Sequence, residues 1–153
     1  MSRRSVMWPL AAACMALLAA MPCLAHSAGG VRSVRVPVGG QARSAMIASH
    51  IKGYETVDYL VRVKAGQHLA VRFDADSHSA YFNVLPPQAD SASFTGAIDG
   101  DRYSGIMPTD GDCTVRVYLM RNAARRGEVG HFRLYINVDG AAADDNALPP
   151  THP

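Results

Sequence analysis

Strict alternation of apolar and polar residues recurs along this chain, and beyond its N-terminal apolar run no window longer than a turn carries apolar residues at helical spacing. The segments Val57–Val63, His68–Phe73, Ala80–Leu85, Ser93–Ile98, Arg102–Met107, Cys113–Met120 and His131–Val138 read as strands. Turn-forming clusters separate them: KAGQ, DADSHS, PPQADS, DGD and PTDGD. With no helical segment to cover a parallel sheet, short strands at this spacing imply an all-β chain, a single antiparallel β-sandwich domain of about seven or eight strands, or a small barrel. Within TVRVYLM, Val115, Val117 and Leu119 share one face while Arg116 and Tyr118 share the other, so one face is core and one is wet. The same parity groups Phe132, Leu134, Ile136 and Val138 in the last strand.

The first residues, MSRRSVMWPLAAACMALLAAMPCLAHSAGG, place Arg3 and Arg4 before an apolar stretch from Leu10 to Leu24, with the small Ala25 at the expected cleavage point. That pattern predicts a secretory signal peptide over residues 1–25 and a periplasmic destination, with no membrane insertion of the mature chain. Neither Cys14 nor Cys23 sits in a lipobox. Residues 26–43 read as a Gly-rich lead-in arm or an edge strand, 44–139 as the sandwich domain, and 140–153 as a disordered tail rich in Pro, Ala and Asp. Losing the signal removes Cys14 and Cys23, so Cys113 is left without a partner in its own chain. It also removes Arg3 and Arg4, which brings 15 basic residues down to 13 and balances the 13 acidic ones. A near-neutral mature chain is a poor candidate for nonspecific nucleic-acid binding, where a basic stripe with high pI is expected.

Catalytic and metal-binding patterns are missing. His26, His50, His68, His78, His131 and His152 stand singly, with no HExxH pair. The Asp-rich turns do not continue into a calcium loop with its distal Glu, and turn formation explains them. Cys113 starts a strand with no His paired to it in sequence, which suits a buried or edge thiol better than a nucleophile. There is no GxSxG elbow, no phosphate-cradling glycine loop and no distinctive carboxylate pair. The chain therefore reads as a non-enzyme, without metal or cofactor.

One stretch stands apart. Between the last two alternating runs lies LMRNAARRGEVG, with Arg121, Arg125 and Arg126 on what reads as a long hairpin loop, where a two-residue turn would suffice. If Asn122–Arg126 forms one helical turn, Arg121 and Arg125 project together, and that like-charge arrangement costs a few tenths of a kcal/mol unless both reach one anion. Two guanidiniums grip carboxylates or a phosphate in bidentate fashion. The other reading of the same spacing is a solvated loop whose arginines pair with Glu128 and nearby aspartates.

The stretches IKGYETVDYLVRVKAGQ, YFNVLPP and above all VRVYLMRNAARR resemble the periplasmic inhibitors of g-type lysozyme, the PliG family, over most of Ile51–Val138. More loosely the chain is similar to the pre-peptidase C-terminal type of β-sandwich, although it carries Cys113 where that pattern has Tyr. The resemblance implies an antiparallel sandwich that binds g-type lysozyme, with Arg121 and Arg125 entering the substrate cleft and Tyr54 contacting the enzyme beside them. Asn122 and Arg126 would be accessory contacts. The partner implied is a protein, the chain itself being a monomer or weak dimer. An envelope module that binds sugars or anions through the arginine loop is the alternative reading.

Overall fold

Val, Leu, Ile and Phe at every second position give strands whose inward side chains can meet only across a second sheet, and two sheets are what form. The computed structural model describes residues 30–38 and 42–140. The predicted signal peptide, the tail from 141 onward, residues 26–29 and 39–41 of the lead-in, His26 and His152 lie outside the described residues. The strands are β1 (Val31–Arg35), β2 (Ser44–Lys52), β3 (Thr56–Val63), β4 (His68–Ala75), β5 (Ala80–Leu85), β6 (Phe94–Thr95), β7 (Arg102–Ile106), β8 (Gly111–Leu119) and β9 (Val129–Asp139). Two single helical turns interrupt them, α1 (Gly96–Asp99) and α2 (Arg121–Arg125). One sheet runs β1-β3-β8-β5-β6 and the other β2-β9-β4-β7. The fold is an all-β sandwich; all pairings are antiparallel except β1 on β3, which is parallel.

The predicted faces hold. Val115, Val117 and Leu119 of β8 and Phe132, Leu134, Ile136 and Val138 of β9 are all buried between the sheets. Phe73, Phe82, Phe94 and Phe132 form an aromatic chain through this core, with centroid spacings of 5.4 Å for Phe73–Phe132, 5.5 Å for Phe73–Phe82 and 5.0 Å for Phe82–Phe94. Cys113 is fully buried. β1 is pinned by a two-pronged ion pair from Arg35 to Asp112 (3.0 and 2.9 Å) and by Val36 and Val38, which enter the core.

Three sequence expectations are corrected. First, β8 and β9 do not form a hairpin. β8 is flanked by β3 and β5 in one sheet, β9 by β2 and β4 in the other, so the Arg-rich segment arches from sheet to sheet across one end of the sandwich. Second, Ser93–Ile98 is not one strand. Only Phe94–Thr95 pairs with β5; Gly96 then opens α1, the Thr95 N–H donates to Asp99 Oδ2 (2.8 Å), and Ile98 is exposed. Gly96 packs so closely on β5 that a Cβ there would lie 2.5 Å from the Phe82 carbonyl oxygen, too near for any other residue in this position. Third, β2 adds a nine-residue edge strand that the alternation did not reveal. Its inward positions are Ala45, Ile47, Ser49 and Ile51, where a small residue and a hydroxyl blur the apolar period.

Candidate functional site

The site is built at the end of the sandwich where α2 arches over. Arg121, Asn122, Ala123, Ala124 and Arg125 make one helical turn whose two alanines are buried and whose polar residues are exposed. Small methyl groups on the inward side let the turn lie flat on the core, while the guanidiniums stand off it. Ahead of it, the Met120 N–H donates to the Ser79 carbonyl (2.8 Å). Behind it, the Gly127 N–H reaches the Ala124 carbonyl (3.0 Å) and the Glu128 N–H the Ala123 carbonyl (3.2 Å). With Gly127 left-handed at φ +66°, these two bonds are a Schellman C-cap, which fixes where the turn stops.

The second element is the β2–β3 turn, Lys52–Glu55. Its Gly53 is left-handed at φ +56°, and the Lys52 N–H is held by the Glu55 carboxylate (3.0 Å). The Gly53 N–H donates to the Glu128 carbonyl (2.9 Å), tying this turn directly to the end of the arch. That bond joins two segments far apart in sequence and sets Tyr54 beside α2. Tyr54 is exposed, and it lines one shallow hollow together with Glu55, Arg116, Tyr118, Met120 and Arg121.

The structure thus brings Tyr54 and Arg121 together, and places Arg125 one helical turn along from Arg121. Arg121 and Arg125 are exposed and, among the described residues, engaged in no ion pair or side-chain hydrogen bond. Arg126 differs: its guanidinium is bonded to Glu128. Asn122 turns back on its own backbone, its Oδ1 accepting the Ala123 N–H (2.8 Å). Of the two readings left open by the spacing, pairing with Glu128 therefore describes Arg126 alone.

The hollow floor was not singled out by sequence reasoning. Arg116 on β8 faces Asp58 on β3, its register partner, through two hydrogen bonds of 2.7 and 2.8 Å. Asp58 is almost fully buried, and its hydrogen bonds hold the Arg116 guanidinium firmly in its charged form. Next along the strand, the Tyr118 hydroxyl donates to Asn83 (3.3 Å), and burial raises its pKa above the ordinary tyrosine value. The alternation placed Arg116 and Tyr118 on the outer face, but which strand they faced was not in the local pattern.

Fold and site define a small all-β sandwich that offers a rigid, cationic loop end; among the described residues, no group of three or more His, Cys, Asp or Glu side chains is arranged to hold a metal, and no helix is long and apolar enough to cross a membrane. Neither a protein-family model nor a curated protein matches the chain. Among solved structures it is similar to Aeromonas hydrophila PliG, a periplasmic lysozyme inhibitor of g-type lysozyme, at 32% identity and a TM-score of 0.64, covering 73% of this chain and 100% of that one. It also shares its fold with Salmonella Typhimurium PliG (22% identity, TM-score 0.55, 71% of this chain and 98% of that one) and with a mutant of Escherichia coli PliG (23%, 0.55, 72% and 100%). The chain belongs to the PliG family of periplasmic inhibitors of g-type lysozyme.

Proposed function

We propose that this protein is an exported inhibitor of g-type lysozyme that works in the periplasm, without catalysis or cofactor, by entering the enzyme's substrate cleft with the α2 arch and so sparing peptidoglycan. The observation that carries this reading is the pair of guanidiniums, Arg121 and Arg125, unengaged among the described residues and held on a capped turn beside an exposed tyrosine. A glycosidase cleft presents acidic groups in a partly dry pocket, where an arginine gains a charge-assisted partner and costs little ordering if its backbone is already fixed. Truncating one partner of such a pair costs about 2 to 5 kcal/mol. Tyr54 supplies aromatic area next to the charges, as interface anchors commonly do. Arg126, tied to Glu128, and Asn122, tied to Ala123, serve as accessory contacts at most.

Lysis of a peptidoglycan-rich cell suspension tests the reading. The chain without residues 1–25 is expected to stop a g-type lysozyme and leave a c-type enzyme active, and the Arg121→Ala, Arg125→Ala double variant is expected to stop neither. If the wild type slows no lysozyme but sediments with cell-wall polymer, the proposal fails in favour of an envelope-binding module.

A further inference from the structure

On the outer face of the second sheet, near the end of the arginine arch where His50 shares a hollow with Tyr54 and Gly127, His50 of β2 and His131 of β9 are direct cross-strand partners. Both side chains are exposed, and their inward neighbours Ile51 and Phe132 are buried, so the two rings stand side by side in solvent on a rigid ladder. Their centroids are 5.8 Å apart with the planes tilted by 50°. The geometry points to a two-imidazole site for a borderline transition-metal ion, of the Zn²⁺, Ni²⁺ or Cu²⁺ class.

The spacing decides this. A ring nitrogen binds such an ion at about 2.0–2.1 Å, which puts the ring centroid roughly 3.2 Å from the metal. Two rings sharing an ion then lie about 4.5 Å apart at the right angle of a square-planar ion, about 5.2 Å apart at a tetrahedral angle and about 6.4 Å apart when opposed. The observed separation falls within that interval, so an ion can be bridged by ring rotation without moving either strand. His131 is held on both sides: its N–H donates to Asp76 Oδ1 (2.8 Å) and its carbonyl accepts the Asp76 N–H (3.0 Å). That fixes the backbone of one ligand before any ion arrives.

The two rings line a shallow hollow with Asp74, Asp76 and Arg133; Asp74 is bonded to Arg72 (3.1 Å) and Asp76 to the His131 backbone, so the ring nitrogens themselves would hold the ion. Because no third His, Cys, Asp or Glu completes a ligand set among the described residues, the remaining positions of the ion would be held by water or by a group from outside the chain. Two imidazoles and open positions favour Cu²⁺ over Ni²⁺ and Zn²⁺ in the usual order of divalent affinities.

Calorimetric titration of the untagged chain with each ion tests the site. One ion per chain is expected, bound most tightly as Cu²⁺, with nitrogen hyperfine structure from two imidazoles in the Cu²⁺ resonance spectrum. His50→Phe and His131→Phe keep a ring at each place but remove its nitrogens. Each is expected to weaken binding at least tenfold, while His68→Ala and His78→Ala leave it unchanged. Circular dichroism and the metal-free melting temperature establish that the variants fold, and His50→Gln serves if a Phe variant does not. Absence of saturable binding, or binding that survives both substitutions, overturns the assignment.

Discussion

Arg121, Arg125 and Arg126 are three like residues within six positions, yet their surroundings separate them. Arg126 is bonded to Glu128, and the other two are engaged by nothing else among the described residues. In the proposed complex, Arg121→Ala or Arg125→Ala is expected to weaken lysozyme binding by about 2 to 5 kcal/mol, which is roughly 30-fold or more. Arg126→Ala is expected to cost under about 1 kcal/mol, since it gives up an exposed pair. Calorimetry of the three single variants checks the order. Cys113 supplies a second test at this scale. Burial pushes its thiol up to about 12 from an ordinary 9.0, so the folded chain keeps the proton that the unfolded chain releases first. This contribution to stability is intact below pH about 9 and falls away as pH rises toward about 12. Cys113→Ala is expected to flatten the alkaline limb of a stability-against-pH curve, and the wild-type thiol is expected to resist an aromatic disulfide reagent until the chain unfolds.

At the scale of the element, the arch depends on two left-handed glycines, Gly53 and Gly127. A Cβ at Gly127 would meet nothing within 4 Å, so Gly127→Ala acts through backbone strain alone. A loss of about 1 kcal/mol in stability is expected from thermal melting, with weakened inhibition because the C-cap no longer fixes the guanidiniums. Much of the element structure was legible in the sequence. The faces of β8 and β9 follow from alternation, whereas a helical turn at the arginines enters the sequence reading only as a condition, over Asn122–Arg126, and the structure places it at Arg121–Arg125. β2 escaped because Ala45 and Ser49 interrupt its apolar face, and Ser93–Ile98 misled because alternation through SFTGAI does not reveal that Gly96 must bend against the Phe82 carbonyl.

For the whole molecule, what alternation does not encode is the choice of partner strand. Two successive alternating runs look alike whether they pair as a hairpin or arch between sheets; here β8 is already flanked on both sides, and the arch follows from that. The same blindness hid the Arg116–Asp58 pair and the Gly53–Glu128 bond, both of which join distant segments. The closeness of Tyr54 to Arg121 was therefore reached only through family resemblance, and no local pattern contains it. With basic and acidic residues balanced in residues 26–153, overall charge would not steer the chain onto its target, and the arch carries the local positive field. The complex is accordingly expected to weaken with ionic strength by a modest slope that is smaller in each single variant, Arg121→Ala or Arg125→Ala, measured as the dissociation constant across a salt series.

The most direct test is calorimetric binding of the chain to a g-type lysozyme, with the cleft empty and with it filled by a soluble peptidoglycan oligosaccharide. Tight binding to the empty cleft, competition by the oligosaccharide and near-complete loss in the Arg121→Ala, Arg125→Ala variant are the expected results. Equal affinity with the cleft filled, or an undiminished complex in the double variant, would contradict entry of the arginine arch into the cleft.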